Sequence, residues 1–226
     1  MTLAEIYNYR VALAYLPDFA WGLWSTLWIS AVCLCLSLGF GALVAMGHAS
    51  QSRWIRLGVV SYVELIRSTP LLIQVYFIYY GLAQIPVLNI PMPPLACGIL
   101  ALTIHSTAYM SEIIRGGIEA VDPGQVEGAK ALGMSRRQAM IHIIYPQAIA
   151  NVIPPILGQG AVLIKDTSVL SFIAVYELLS AGLTVLSDRV MPVEAFITPA
   201  IGYLLIYALM LTLSARAKRH FAGRRH

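Results

Sequence analysis

Glu64, Arg67, Lys165 and Asp166 are charged residues set inside, or at the edge of, long uncharged runs of this 226-residue chain. Charge at such a depth is costly, so each of these residues is by default a candidate for binding or guiding something polar. Glu64 and Arg67 stand three apart, the spacing at which helical side chains meet, and they either pair with each other or contact a polar solute. Pro70 follows closely, removing a backbone donor and breaking or kinking its helix. Such breaks can turn backbone groups toward a substrate near mid-membrane. Thr69, Gln74, His105, Ser106 and Tyr109 lie at the right depth to line the same cavity, with ordinary packing polar groups as the alternative for each. Gln159, beside the Pro154-Pro155 kink, makes a later stretch similarly irregular. Lys165-Asp166-Thr167-Ser168 has two readings: a boundary ion pair in which Asp166 or Thr167 caps a short helix over 169–179, or a set of groups closing the outer end of a path or touching a zwitterion. Catalytic and metal sets are absent from the sequence. It holds no G-x-x-x-x-G-K-[ST], no H-E-x-x-H, no G-x-S-x-G and no paired metal ligands.

The elements that position these residues follow from composition. The chain is 58% hydrophobic and 12% charged, against about 25% charged in soluble domains, and its mean hydropathy is +0.74. A disordered chain, a disulfide scaffold and a water-soluble enzyme are excluded; Cys33, Cys35 and Cys97 all sit in apolar runs and give no disulfide framework. Uncharged stretches long enough to cross a bilayer predict five helical spans, about 19–47, 57–85, 95–114, 144–165 and 194–215. The second is the least regular, and prolines at 86, 91, 93 and 94 mark the turn between it and the third. Residues before 19, with Tyr7 and Tyr9, are expected at an interface. The chain is thus read as one all-α integral membrane domain over 1–226, surrounded by lipid.

Lys and Arg orient it. Arg53, Arg56, Arg115, Lys130, Arg136, Arg137, Arg216, Lys218, Arg219, Arg224 and Arg225 fall on one side, and Arg10 and Arg189 on the other. The first side is therefore cytoplasmic, with the N-terminus outside and the C-terminus inside. The net charge of +4 belongs to topology, so nucleic acid is not needed to explain it.

The loop between the third and fourth spans, about 116–142, is over-specified for a linker. Asp122-Pro123 reads as an N-cap with proline at the first helical position. Val126, Ala129 and Leu132 recur at spacings of three, Gly133 is placed to end that helix, and Ser135 with Gln138 makes a capping box for the next. The element is either a docking surface or a linker that simply folds well. A DNA-binding helix-turn-helix is set aside, because both ends run directly into spans.

Glu127 to Pro146, E-G-A-K-A-L-G-M-S-R-R-Q-A-M-I-H-I-I-Y-P, resembles the EAA loop of ABC importer permeases. Glu127, Ala129, Gly133, Ile143 and Pro146 stand at the family spacing, while Gly128 and Tyr145 replace an alanine and a leucine of the pattern. Arg67-Ser68-Thr69-Pro70-Leu71-Leu72 with Gln74, and Ala108 to Ile113 followed by Arg115-Gly116-Gly117-Ile118, are similar to segments of the permeases that serve histidine, glutamine, glutamate and arginine. Pro123-Gly124-Gln125 and Lys165 to Ser168 match as well. The resemblance implies a type I ABC importer fold in the bacterial inner membrane. It also implies a coupling helix carried by Glu127, Ala129, Leu132, Gly133 and Met134, which sits in a groove of a separate ATP-binding subunit dimer. ATP would be bound by that partner and no cofactor by this chain. A second permease subunit, identical or similar, and a periplasmic substrate-binding protein complete the implied assembly, with 186–194 either a contact for the latter or an ordinary solvated loop. An ion-coupled secondary carrier of small polar solutes is the rival reading, weakened because no internal repeat is visible.

Overall fold

A computed structural model describes residues 7–82 and 92–222, with side chains through Arg219. The described residues are helical throughout, joined by short turns. Helix α1 (Tyr9–Ala14) is capped by the Asn8 side chain and leads into α2 (Leu16–His48). Between Asp18 and His48 α2 carries no charge, so it is apolar on every face and needs apolar surroundings on every face. Helix α3 (Arg53–Ser68) is amphipathic, with only Val63 buried. Helix α4 (Leu71–Tyr76) runs into a wider π-turn at Phe77–Gly81. Helix α5 (Pro94–Glu119) starts where Pro94 cannot donate a backbone hydrogen bond.

Helix α2 lies along α5 in the most extensive contact of the fold. The reason is side-chain size. Thr26, Ser30, Cys33, Ser37, Gly41 and Ala45 recur every three or four residues and are all buried, and a Cβ on Gly41 would come 2.6 Å from Met110 Cβ. Small residues let helices approach where lipid supplies no hydrophobic drive between them. Ile29, Cys33, Val75, Ile78, Ala101, Leu102, Leu163, Leu170 and Ile173 form the main core and join α2, α4 and α5 to the later helices.

Helices α6 (Pro123–Ala131) and α7 (Arg136–Ala139) make the long loop; a π-turn at Met140–Ile144 then passes directly into α8 (Tyr145–Asp166). A 3-10 segment, Thr167–Ile173, continues α8 until Ala174 turns left-handed at φ 59°. Helix α9 (Leu178–Arg189) ends at Val190, φ 54°, and α10 (Pro192–Ala222) is the last of the described helices.

Among the described residues, four helical stretches are long and apolar enough to cross a membrane: Leu16–His48, Pro94–Glu119, Arg136–Ile173 and Pro192–Arg219. The expected second span is not among them. It is split at Thr69-Pro70, both extended, into the amphipathic α3 and the short apolar piece Leu71–Gly81. Pro70 explains the split, and Glu64 and Arg67 lower the hydropathy before it. The expected turn at Pro86 and Pro91 lies outside the described residues, as do Arg224 and Arg225.

Two expectations near the far end of the bundle are corrected. Neither Asp166 nor Thr167 caps a helix over 169–179: both are right-handed, the chain continues as 3-10, and the Thr167 hydroxyl turns back to donate to Ile164 O at 2.7 Å. The cap is Glu177, eleven residues beyond Asp166, and it starts α9. Residues 186–189, expected in a loop, are the last turn of that helix. The N-terminal segment is fastened to α10, Tyr7 Oη lying 2.9 Å from Thr198 Oγ1 and the Asn8 N–H donating to Glu194 Oε1 at 2.7 Å.

Candidate transport path and coupling loop

The break between α3 and α4 gathers half of the expected path residues. Thr69 Oγ1 donates back to Leu65 O at 2.9 Å. The Gln74 side chain folds over the break, and its Oε1 lies 2.9 Å from Nδ1 of His105 on α5. The His105 and Tyr109 rings meet at 5.1 Å, and the Arg67 guanidinium stands over the Tyr109 ring at 5.7 Å. Arg67, Thr69, Gln74, His105 and Tyr109 therefore form one contiguous group. Ser106 does not join it by any hydrogen bond; its fully buried hydroxyl has no partner.

Arg67 does not pair with Glu64. Its ionic partner is Glu112 of α5, at 3.8 Å. Glu112 also receives Arg115 at 2.8 Å and faces His48 Nε2 at 3.5 Å, and Arg115 reaches on to Glu119 at 2.7 Å. One carboxylate thus ties the end of α2, the end of α3 and the last turns of α5. Glu64 instead lines a neighbouring cavity of about 570 Å³ with His48, Glu112, Arg115 and Glu119.

The loop is held by its own caps. The Asp122 carboxylate accepts the Gly124 N–H at 2.6 Å, and Pro123 occupies the first turn. At the other end of α6, Gly133 N–H reaches Lys130 O and Met134 N–H reaches Ala129 O, both at 3.0 Å, with Gly133 at φ 71°. That is the glycine-dependent Schellman ending. The Ser135–Gln138 box then forms reciprocally, at 2.9 and 3.3 Å. Val121, Ile144 and Ala148 make a small core, with Val126 packed on it, that seats the loop against the spans. Ala129 is buried, whereas Glu127 and Gly133 are exposed and Leu132 is 80% exposed. Met134 is half-buried.

Residues 37–226 match the family model described as "Binding-protein-dependent transport system inner membrane component". The chain belongs to that family. Among its relatives, the nopaline transport system permease protein NocM of Agrobacterium fabrum is 36% identical over 189 residues, 80% of this chain and 78% of that protein. The glutamine transport system permease protein GlnP of Escherichia coli is 32% identical, over 86% of this chain and 88% of that protein. The crystal structure of an amino acid ABC transporter with histidines matches with a TM-score of 0.90 and 34% identity, over 97% of this chain and all of that one. The inward-facing MetNI methionine ABC transporter has a TM-score of 0.72 at 16% identity, over 90% of this chain and 96% of that one, which is a likeness of fold.

In this inner-membrane permease, Lys165 and Asp166 stand apart from the group around the break. They lie toward the opposite end of the bundle from Glu112, near where Leu170 packs on Gly98 at the start of α5. Lys165 is exposed, with its Nζ 4.5 Å from the Tyr207 ring of α10, and Asp166 beside it is half-buried. Gln159 is half-buried on α8.

Three residues of consequence in the permease escaped the sequence reading as site candidates. Glu112 stood within the Ala108–Ile113 segment that resembles the permease family, and at helical spacing from Arg115 and Glu119, but its ties to His48 and Arg67 come from tertiary structure. His48 had no signal beyond ending an apolar run. Glu177 accepts the N–H groups of Leu179 and Ser180, each at 2.9 Å, together with the Tyr203 hydroxyl. Its side chain is fully buried, and burial outweighs these donors and pushes its carboxyl above the usual carboxylate range.

Proposed function

We propose that the chain is the membrane subunit of an ABC importer that carries a polar amino acid or related compound inward, driven by ATP hydrolysis in a separate subunit. The family match and the amino-acid permeases among its relatives support the substrate class. No observation favours the ion-coupled carrier. All of 1–226 acts as one transmembrane domain that crosses the bilayer five times, the two pieces on either side of Pro70 together making the second crossing. The N-terminus is outside and the C-terminus inside, the side where Arg53, Arg115 and Arg136 cluster.

The single observation that carries the coupling role is the loop's construction. A nine-residue helix, capped at both ends by its own residues, presents Glu127 and Leu132 outward while Ala129 packs inward. An apolar side chain left 80% exposed beside a left-handed glycine is suited to a groove in a partner protein. Glu127, Leu132, Gly133 and Met134 contact the ATP-binding dimer, and Ala129 lets the coupling helix lie close to the spans. The chain itself holds no ATP, cofactor or metal. A second permease subunit completes the path, and a periplasmic binding protein delivers the solute to the end where α9 lies. Along the path, Arg67, Thr69, His105 and Tyr109 surround the break; Glu64, Ser106, Gln159, Lys165 and Asp166 are the further candidates for contact.

A Leu132→Cys permease assembled with ATP-binding subunits tests the docking. A thiol cross-linker should join position 132 to that subunit, whereas Ser187→Cys on α9 should give no such product. A complex that hydrolyses ATP and transports, yet never cross-links at 132, would remove the loop from the interface.

A further inference from the structure

Pro70 has no N–H, and in an unbroken helix that N–H would bond the carbonyl four residues earlier, that of Ile66. At membrane depth a freed carbonyl needs another donor, from the protein or from water in a cavity. The Gln74 side-chain amide stands in that place: its Nε2 donates to Ile66 O at 2.8 Å. The same nitrogen lies 3.1 Å from Thr69 O and 2.7 Å from Thr69 Oγ1. Three oxygens around one end of the amide fix that end as nitrogen. The other end is then Oε1, which can only accept, so the 2.9 Å contact with His105 puts the imidazole proton on Nδ1. In the neutral ring Nε2 is left as the acceptor. From His105 the contacts run to Tyr109 and then to Arg67, the residue next to Ile66 in the chain. The circuit closes on the helix where it began.

We propose that Gln74 is a positioning residue of the transport path and not a ligand for the solute. Its amide replaces the donor that Pro70 removes and fastens the break to α5, and this sets the His105 tautomer and the places of Tyr109 and Arg67. The inference rests on the reading of the chain as an importer permease. It separates Gln74 from its neighbours at the break: they remain free to meet the solute, while both ends of the Gln74 amide are spent within the protein.

A mutant cycle with Pro70 tests it, because Pro70→Ala supplies the N–H that bonds the Ile66 carbonyl once residues 69 and 70, extended here, take helical angles. The assembled importer, with its ATP-binding subunits and binding protein, is reconstituted in proteoliposomes. Gln74→Leu should lower the maximal uptake rate about tenfold or more, with the ranking of competing solutes and the half-saturating concentration unchanged. In the Pro70→Ala background the same change should cost less than about threefold. An equal loss in both backgrounds overturns the proposal. So does an altered ranking of solutes with the maximal rate intact, which would make Gln74 a ligand. Where Pro70→Ala itself stops uptake, the cycle is read in the thermal unfolding midpoint of the assembled complex. Gln74→Leu should then lower the midpoint in the chain that keeps Pro70 and leave it nearly unchanged in the Pro70→Ala chain, and equal losses again overturn the proposal. If the unsubstituted importer moves no solute, the transport reading fails while the unfolding cycle still judges the brace.

Discussion

Two interruptions of helix in this permease, the loop over about 116–142 proposed for coupling and the break at Thr69-Pro70, are finished in opposite ways. The loop closes its exposed backbone groups with side chains at most three residues away: Asp122 onto Gly124, Ser135 onto Gln138, and Gly133 by its own backbone angle. The break is closed from further off. Gln74 reaches back eight residues to Ile66 and across to His105 on α5, and Arg67 leans on Glu112. A locally capped element keeps its shape when the helices around it move, which suits the proposed role of transmitting force to another protein. An element held by its neighbours changes when they move, which suits a part inside the path.

Glu112→Leu strikes hardest at the distant bracing of the break. It would leave Arg67, Arg115 and His48 facing one another without the shared carboxylate. A loss of roughly 2 kcal/mol is expected in unfolding experiments on the detergent-solubilised permease, below the cost of breaking a fully buried pair because the site is partly wet. A change under a few tenths of a kcal/mol would show that the cluster holds nothing.

Gly133→Val attacks the loop at its least tolerant point. A β-branched residue at φ 71° opposes the left-handed turn by at least about 1–2 kcal/mol. ATP-driven uptake should fall about tenfold with the spans still folded. Loss of folding together with uptake would mean that the loop is not the independent element described.

The caps come next. Asp122→Ala and Ser135→Ala should each cost about 1 kcal/mol of loop stability. Since they share no partner, the double variant should cost the sum, read by hydrogen exchange across 120–140. Strong non-additivity would erase the contrast with the break, where coupling is expected.

The smallest effect concerns Glu177, a nearby cap that is also held from a distance by Tyr203. Its carboxyl is raised in the folded protein, so the native state holds the proton to higher pH than the unfolded chain does. Its contribution is therefore most favourable below the ordinary carboxylate range near about 4.3 and is lost as pH rises from there through the folded value. The difference in thermal midpoint between the natural permease and Glu177→Gln should slope with pH over that window. A flat difference would mean that Glu177 titrates normally.

The same contrast explains what could be read from the sequence. Asp122-Pro123, Gly133 and Ser135–Gln138 were legible because their chemistry is local, and the structure places every one of those caps as expected. Four apolar runs were legible by length alone. The break at Pro70 was legible, since the proline was expected to break or kink the second span; the amphipathic character of the piece before it was not. The pairing of Arg67 with Glu112 in place of Glu64 joins residues 45 apart in sequence, and helical spacing alone favoured the nearer carboxylate. The cap at Glu177 was missed because Lys165-Asp166 offered a more conspicuous start, while the chain continues past it as 3-10 helix.

In the proposed importer, ATP hydrolysis in a partner, transmitted through the loop, moves solute through this chain. The decisive experiment is solute uptake into proteoliposomes holding the permease, its ATP-binding subunits and its binding protein. Uptake should require ATP on the side of the ATP-binding subunits and should fall about tenfold with Gly133→Val. Uptake driven by an imposed ion gradient without ATP, and indifferent to Gly133→Val, would contradict it.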